Sequence, residues 1–361
     1  MPDTKPHTVQ LNQVTVTMLG VSQSGKSTYI LGAYAELVNG VHGCFMHTRD
    51  EDAGAALVRE LNALRAGAPP PPTPDKPVQY QFVLTRTGST EHILIDLMDF
   101  RGGAPFDVTH GKQSDTAQLH QRLVVSDTVF VVLDSSNFRD PVTPSRLYAV
   151  REATGTERFS DMIGKALAER QQAGSLPPSI AVLLTKADLI DGRPGSPLRD
   201  WDELEGEVRG LLRAAFQPNL ATRIFPVSVG GFGASLNGQP QSVTMDLHSV
   251  GDPVIFAVGW FLRACQAEVH RDRERVLVFR EKTAHRLEEL TRRARIIQWF
   301  KRSRIIATQA DLNQASAGVT ALDTRWNELG RQSQALLSSL DSGTGANDAM
   351  GVGRLRPDRC L

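Results

Sequence analysis

Apolar and polar positions along the chain follow two alternating periods. Short apolar runs at 14–19, 128–134, 180–185 and 223–228 have the length of strands covered on both faces. Between them, apolar residues fall three or four apart, the spacing of one helix face, at 28–38, 51–66, 115–125, 157–172 and 200–216. In the second of these segments the face is Ala56, Leu57, Leu61 and Leu64. Alternating strand and helix units predict a parallel sheet joined by right-handed crossovers. One pair departs from that rule: residues 80–86 and 91–99 flank Thr87-Gly88-Ser89-Thr90 and read as a β-hairpin. The expected class is therefore α/β, a mostly parallel sheet with one antiparallel hairpin strand. Closely spaced glycines near 40–43 end the first helix and leave room for a short extended piece. Gly67 and the run Pro69-Pro-Pro-Pro-Thr-Pro74 exclude helix and inner strand. Residues 135–155, with their prolines and polar groups, read as an inserted loop.

The pattern changes after 262. From Trp260 to Ala317 there are 58 residues with neither Gly nor Pro. Leu287, Leu290, Ala294 and Ile297 keep one seam. A second runs through Ile305, Leu312, Val319, Trp326 and Leu340 at a positions with Ala315, Leu322, Leu329 and Leu336 at d, broken by Thr308 and Ser333. The seams are out of register across 298–304, which predicts two helices meeting there, each about 35 residues and so ~50 Å long. The predicted organisation is a frayed, polar segment at 1–12, an α/β domain at 13–262, a helical arm at 263–340 and a disordered tail at 341–361.

Composition narrows the classes of partner. The 40 Lys plus Arg balance the 40 Asp plus Glu, so no global charge draws the chain to nucleic acid, and none is expected as a partner. Cys44, Cys265 and Cys360 have no metal-binding spacing, and Cys360 stands at the wrong offset for prenylation. With no signal peptide and no apolar run of transmembrane length, the reading is a soluble cytoplasmic protein. Charge is uneven locally: Arg263 to Arg304 hold 13 Lys or Arg against 6 Asp or Glu. The arm is open to three readings: a hairpin folded on itself, a coiled coil with a partner protein or second copy, or a helix on an anionic membrane surface.

Candidate chemistry concentrates at the ends of the strands. Gly20-Val21-Ser22-Gln23-Ser24-Gly25-Lys26-Ser27 fits G-x-x-x-x-G-K-[ST], stands between the first strand and the helix opened by Thr28, and is the form of a phosphate loop. Its backbone N–H groups would face a β-phosphate, Lys26 would reach the β- and γ-phosphates, and the Ser27 hydroxyl would ligate Mg²⁺. The plain alternative is a glycine turn before a core-packed helix. Thr185-Lys186-Ala187-Asp188 follows a buried strand and fits [NT]-K-x-D: the Asp188 carboxylate can accept both guanine N1–H and N2–H₂, with Lys186 over the base plane. A simple strand-end turn is the other reading. Asp99-Phe100-Arg101-Gly102 fits D-x-x-G, with Asp99 holding Mg²⁺ through water and the Gly102 N–H facing a γ-phosphate. Asp96 competes, but three residues away on a strand it faces the opposite side and lacks the glycine. Ser228-Val229 ends the last strand where a base-backing serine belongs, although the Ala-Lys that would complete an S-A-K loop is missing. Thr73 is a candidate switch threonine for Mg²⁺ and γ-phosphate, or part of a linker. Arg101 is either a charge that swings toward the phosphates or a solvent-facing residue.

These motifs together resemble a TRAFAC-type, Ras-like GTPase. The stretches MLGVSQSGKSTYILGAYAEL, IDLMDFRGG, VVLDSS and LLTKADL are most similar to the bacterial double-GTPase (DO-GTPase) group, over about residues 13–262. The resemblance implies a fold like that of small GTPases, GTP/GDP and Mg²⁺ as ligands, and work in multi-protein bacterial signalling or conflict systems, often beside another GTPase or GTPase-like protein. The departure is Gly103, where many Ras-like proteins carry the water-positioning Gln. A nucleotide-stabilised scaffold presenting the arm is a second reading. An ATP-using P-loop kinase or transport ATPase is a third, and it leaves Asp188 without a task.

Overall fold

In a computed structural model, residues 13–68, 77–89, 92–103, 113–192, 197–230, 245–294 and 302–342 are described. A seven-stranded sheet forms the centre, with strands in the order β2-β3-β4-β1-β5-β6-β7. These are β1 (Gln13–Leu19), β2 (Cys44–Thr48), β3 (Val78–Arg86), β4 (His92–Asp99), β5 (Thr128–Asp134), β6 (Ser179–Thr185) and β7 (Thr222–Pro226). β3 runs against both β2 and β4, while β4, β1, β5, β6 and β7 pair in parallel. The sheet is thus the expected mostly parallel one with a single antiparallel strand, and the glycine-rich stretch near 43 leads into the edge strand β2.

The helices are α1 (Lys26–Asn39), α2 (Glu51–Arg65), α3 (Gln113–Val125), α4 (Leu147–Thr154), α5 (Thr156–Gln172), α6 (Trp201–Leu211), α7 (Asp252–Ala294) and α8 (Arg302–Ser342). Capping explains two of the starts: Asp50 and Asp200 accept from the N–H of Ala53 and Glu203, at 2.8 and 2.9 Å. Alternation along β5 divides the core. Val129, Val131 and Leu133 join Leu119, Phe159 and Val208 on one face, while Phe130 on the other meets the edge of the Tyr29 ring at 6.1 Å between centroids. Phe225 meets Phe256 of α7 at 5.4 Å. With both faces covered, the inner strands read as unbroken apolar runs.

Three sequence expectations are corrected. Residues 135–155 are not simply a loop: a 3-10 turn at Ser135–Phe138 and helix α4 occupy most of them, anchored by buried Phe138 and Val150. The helix expected through 216 ends at Leu211, where Leu212 leaves helical geometry (φ −112°, ψ 47°) and a separate 3-10 turn follows. The helix expected from 260 begins at Asp252, with Pro253 in its first turn, where its missing N–H costs nothing.

The chain forms two compact units. One runs to Phe261 and takes up the chain again from Leu336, and the other is Leu262–Ala335. In the second unit α7 and α8 run antiparallel: Gln266 donates to the Trp326 carbonyl, Arg273 pairs with Asp323, and Gly318 faces Val276. Thr308, Ala315, Val319, Leu329 and Ser333 are buried along α8, so both seam-breaking residues lie in the seam, whereas Trp326 is 38 % exposed. The frayed segment at 1–12, Thr73 and all but the first two residues of the predicted tail at 341–361 lie outside the described residues.

Candidate functional site

The loop between β1 and α1 takes its shape from its smallest residues. A Cβ on Gly20 would lie 2.7 Å from the Ser24 hydroxyl, and Gly25 adopts φ 89° with Thr185 3.2 Å from where its Cβ would be. Gln23 is also left-handed, at φ 65°. α1 begins immediately after Gly25 with no side-chain cap and no acidic residue in its first turn, so its positive end is left for an anion. Lys26 is buried, 5 % exposed, and donates to the carbonyls of Gly20 (2.9 Å) and Val21 (3.2 Å). Burial pushes its pKa down, and the charge of Asp99 opposes that shift.

β4 lies beside β1 with Asp99 level with Met18, so the Asp-Phe-Arg-Gly turn leaves the sheet next to the phosphate loop. Gly102 lies hard against that loop: a Cβ there would be 2.1 Å from the Ser22 nitrogen and 2.4 Å from the Val21 carbonyl carbon. Only glycine fits. Asp96 is occupied elsewhere, bonded to Gln79 (2.7 Å) and paired with Arg122 (3.0 Å) of α3. Arg101 is half-buried beside Gly102, and Gly103 is the last described residue of the turn. Mg²⁺ is ordinarily held by one or two protein ligands together with phosphates and water. The donors here fit: Ser27 in the first turn of α1, and Asp99, a 1 % exposed carboxylate near enough to Lys26 to affect its charge.

The other end of the site is built by β6 and β7. The Thr185 hydroxyl donates to the Ser24 carbonyl (2.6 Å), with the Leu133 carbonyl also within reach at 3.1 Å, tying the base segment to the phosphate loop. Lys186 sits at φ 55° and reaches the Gln23 carbonyl at 3.3 Å and Asp134 at 2.5 Å. Asp188 accepts from the buried Ser228 hydroxyl at 2.9 Å, so Ser228 fixes one carboxylate oxygen. A cleft of about 290 Å³ is lined by Thr28, Tyr29, Lys186, Asp188, Leu189 and Val229 among others. The structure thus brings together the loop Gly20–Ser27, Thr28, Asp99 to Gly102, Thr185 to Asp188 and Ser228-Val229.

Contacts that sequence patterns did not show connect this site to the root of α7. Ser228 and His248 exchange backbone hydrogen bonds, Val229 packs on Gly32 of α1, and Glu36 accepts from the Gly251 N–H at 2.5 Å. His42 bonds Asp252 at 3.2 Å. That hydrogen bond raises the His42 pKa above 6.5, and burial raises that of Glu36. Both shifts act in the same direction. A raised histidine contributes stability that is complete below 6.5 and is lost as pH climbs through its folded value, and an ionised buried Glu36 adds a cost above its own. Thermal stability should fall as pH rises through and above 6.5, and His42→Gln should flatten that fall in melting curves.

A mostly parallel sheet with one antiparallel strand, and a glycine loop, a D-x-x-G turn and a T-K-x-D turn at the ends of its strands, define a GTPase-type protein. The family model for Double-GTPase 2 matches residues 14–229, and the chain belongs to that family. No curated protein matches. Among solved structures, it is similar to the crystal structure of an SsGBP mutation variant (14 % identity, TM-score 0.29, covering 60 % of this chain and 49 % of that one). It is likewise similar to sup35 complexed with GDP (16 %, TM-score 0.28, 60 % and 37 %). The chain therefore spans about half the length of the first and little more than a third of the second. No helix among the described residues is long and apolar enough to cross a membrane.

Proposed function

We propose that this protein is a guanine-nucleotide switch of a bacterial cytoplasmic signalling or conflict system, binding GTP with Mg²⁺ and hydrolysing it slowly. The observation that carries the reading is the single bonded assembly of base and phosphate ends: Ser228 to Asp188, Thr185 to Ser24, and Lys186 to Gln23. Asp188 recognises the two guanine donors, Lys26 and the start of α1 receive the phosphates, and the Gly102 N–H faces the γ-phosphate. Ser27 and Asp99 would hold Mg²⁺, with Thr73 as a further ligand on GTP binding; the ion would supply neutralisation of phosphate charge. Thr73 and the turn from Asp99 to Gly103 are the segments expected to order on GTP.

Slow turnover follows from Gly103. Hydrolysis needs a water held in line with the γ-phosphate and positive charge where negative charge gathers. Gly103 has no side chain to hold that water, and Arg101 is the single cation in the Asp99–Gly103 turn. Single-turnover hydrolysis by the purified protein should run at about 10⁻³ s⁻¹ or below, depend on Mg²⁺, and rise by about 10³ to 10⁵ with an arginine-supplying partner protein, which could be another GTPase. A rate above about 1 s⁻¹ without a partner would contradict this reading. The scaffold alternative draws support from the antiparallel α7–α8 pair, which offers a partner an extended helical surface.

A further inference from the structure

The sequence patterns assign no role to Asp134, the last residue of β5. In the parallel ladder it is level with Thr185, the last residue of β6. The two strands end together, so the Asp134 side chain and that of Lys186 meet at the same mouth of the sheet. Both carboxylate oxygens are engaged: Oδ1 accepts from the Ser136 N–H at 2.8 Å and Oδ2 from Lys186 Nζ at 2.5 Å. The Ser136 bond caps the 3-10 turn that follows and fixes the carboxylate direction. Lys186 needs such a holder. Its backbone is left-handed, its side chain is 43 % exposed, and among the described residues its ammonium has one other hydrogen-bond partner, the Gln23 carbonyl at 3.3 Å. A lysine stem has four rotatable bonds and loses rotamer freedom when fixed.

We propose that Asp134 is the positioning residue for guanine-base binding: it anchors the Lys186 ammonium so that the lysine stem forms one wall of the base cleft. The proposal rests on the guanine reading given above and adds a residue to it. Charge alone makes the opposite prediction. Removing a carboxylate beside a site for a polyanion raises the local positive potential, so a purely electrostatic Asp134 would weaken nucleotide binding and its loss would tighten it. A positioning Asp134 strengthens binding, and its loss speeds release.

The test measures dissociation of a fluorescent GDP analogue from the full chain and from Asp134→Asn, Lys186→Met and the double variant. Asn keeps an oxygen for the Ser136 N–H and gives up the charge held against Lys186. Because the ion pair is partly solvated, Asp134→Asn should raise the off-rate by roughly 3- to 10-fold with the melting temperature of the nucleotide-free protein unchanged. The double variant should release no faster than Lys186→Met alone, since the anchor has no purpose without the lysine. Asp134→Glu should recover part of the loss. An off-rate for Asp134→Asn within about twofold of the parent, or slower, overturns the proposal, as does a double variant whose effects simply multiply. If Asp134→Asn is poorly folded, the same comparison is made with Asp134→Glu in the parent and Lys186→Met backgrounds, where coupling must again appear. Equal release of GDP and ADP analogues by the parent would defeat the guanine reading instead, and the coupling between Asp134 and Lys186 would still be read on the nucleotide bound.

Discussion

Asp188→Asn should lower affinity for GDP roughly 10- to 100-fold and create affinity for the xanthine nucleotide. The size is that of a charge-assisted hydrogen bond, about 1.5 to 3 kcal/mol. The local geometry decides which atom changes. Ser228 donates to one Asp188 oxygen at 2.9 Å, so in the Asn variant the amide oxygen stays with Ser228 and the NH₂ takes the outward position. That NH₂ would oppose the guanine donors and leave them unpaired, but it matches the extra carbonyl of xanthine. Equilibrium titrations of the parent and the variant with GDP and XDP measure both halves of the exchange. Removing Ser228 as well should blur the exchange, because the amide is then free to turn over.

Lys26→Ala should abolish nucleotide binding and hydrolysis, a loss of at least about 100-fold in affinity, because it removes the buried ammonium at the phosphate end. The protein should nonetheless remain folded. Burial pushes the Lys26 pKa down, which means that holding its charge in the nucleotide-free protein costs stability at neutral pH. In the nucleotide-free protein Lys26→Met, which keeps most of the volume, should melt at the parent temperature or above it. Added GDP should raise the melting temperature of the parent alone. A variant that melts well below the parent without nucleotide would assign Lys26 to the scaffold.

The parts of this architecture legible in sequence are those encoded within a few consecutive residues. Gly20 to Ser27, the hairpin ending in Asp99, and Thr185 to Asp188 each carry a strand signal, a turn and a functional side chain close together in the chain. Strand alternation sets Asp99 and Asp96 on opposite sides, the choice of Asp99 followed from the glycine at its right offset, and in the structure Asp96 pairs with Arg122. What was not legible joins distant residues. Lys186 to Asp134 spans 52 positions, His42 to Asp252 spans 210 and Glu36 to Gly251 spans 215; no local period reports such pairs. Local signals also misled. Prolines around α4 hid an eight-residue helix with only two buried side chains, and α7 begins at Asp252, ahead of the Gly- and Pro-free stretch that pointed to long helices. In α8 the polar Thr308 and Ser333 looked like breaks in a seam, yet both are buried in it.

The most direct test of the guanine assignment is a calorimetric titration of the nucleotide-free protein with GDP and with ADP in the same Mg²⁺ buffer. The carboxylate of Asp188, fixed by Ser228 at the mouth of the cleft, predicts saturable binding of GDP and at least about 100-fold weaker binding of ADP, which lacks the paired donors. Equal affinity for the two would contradict the account.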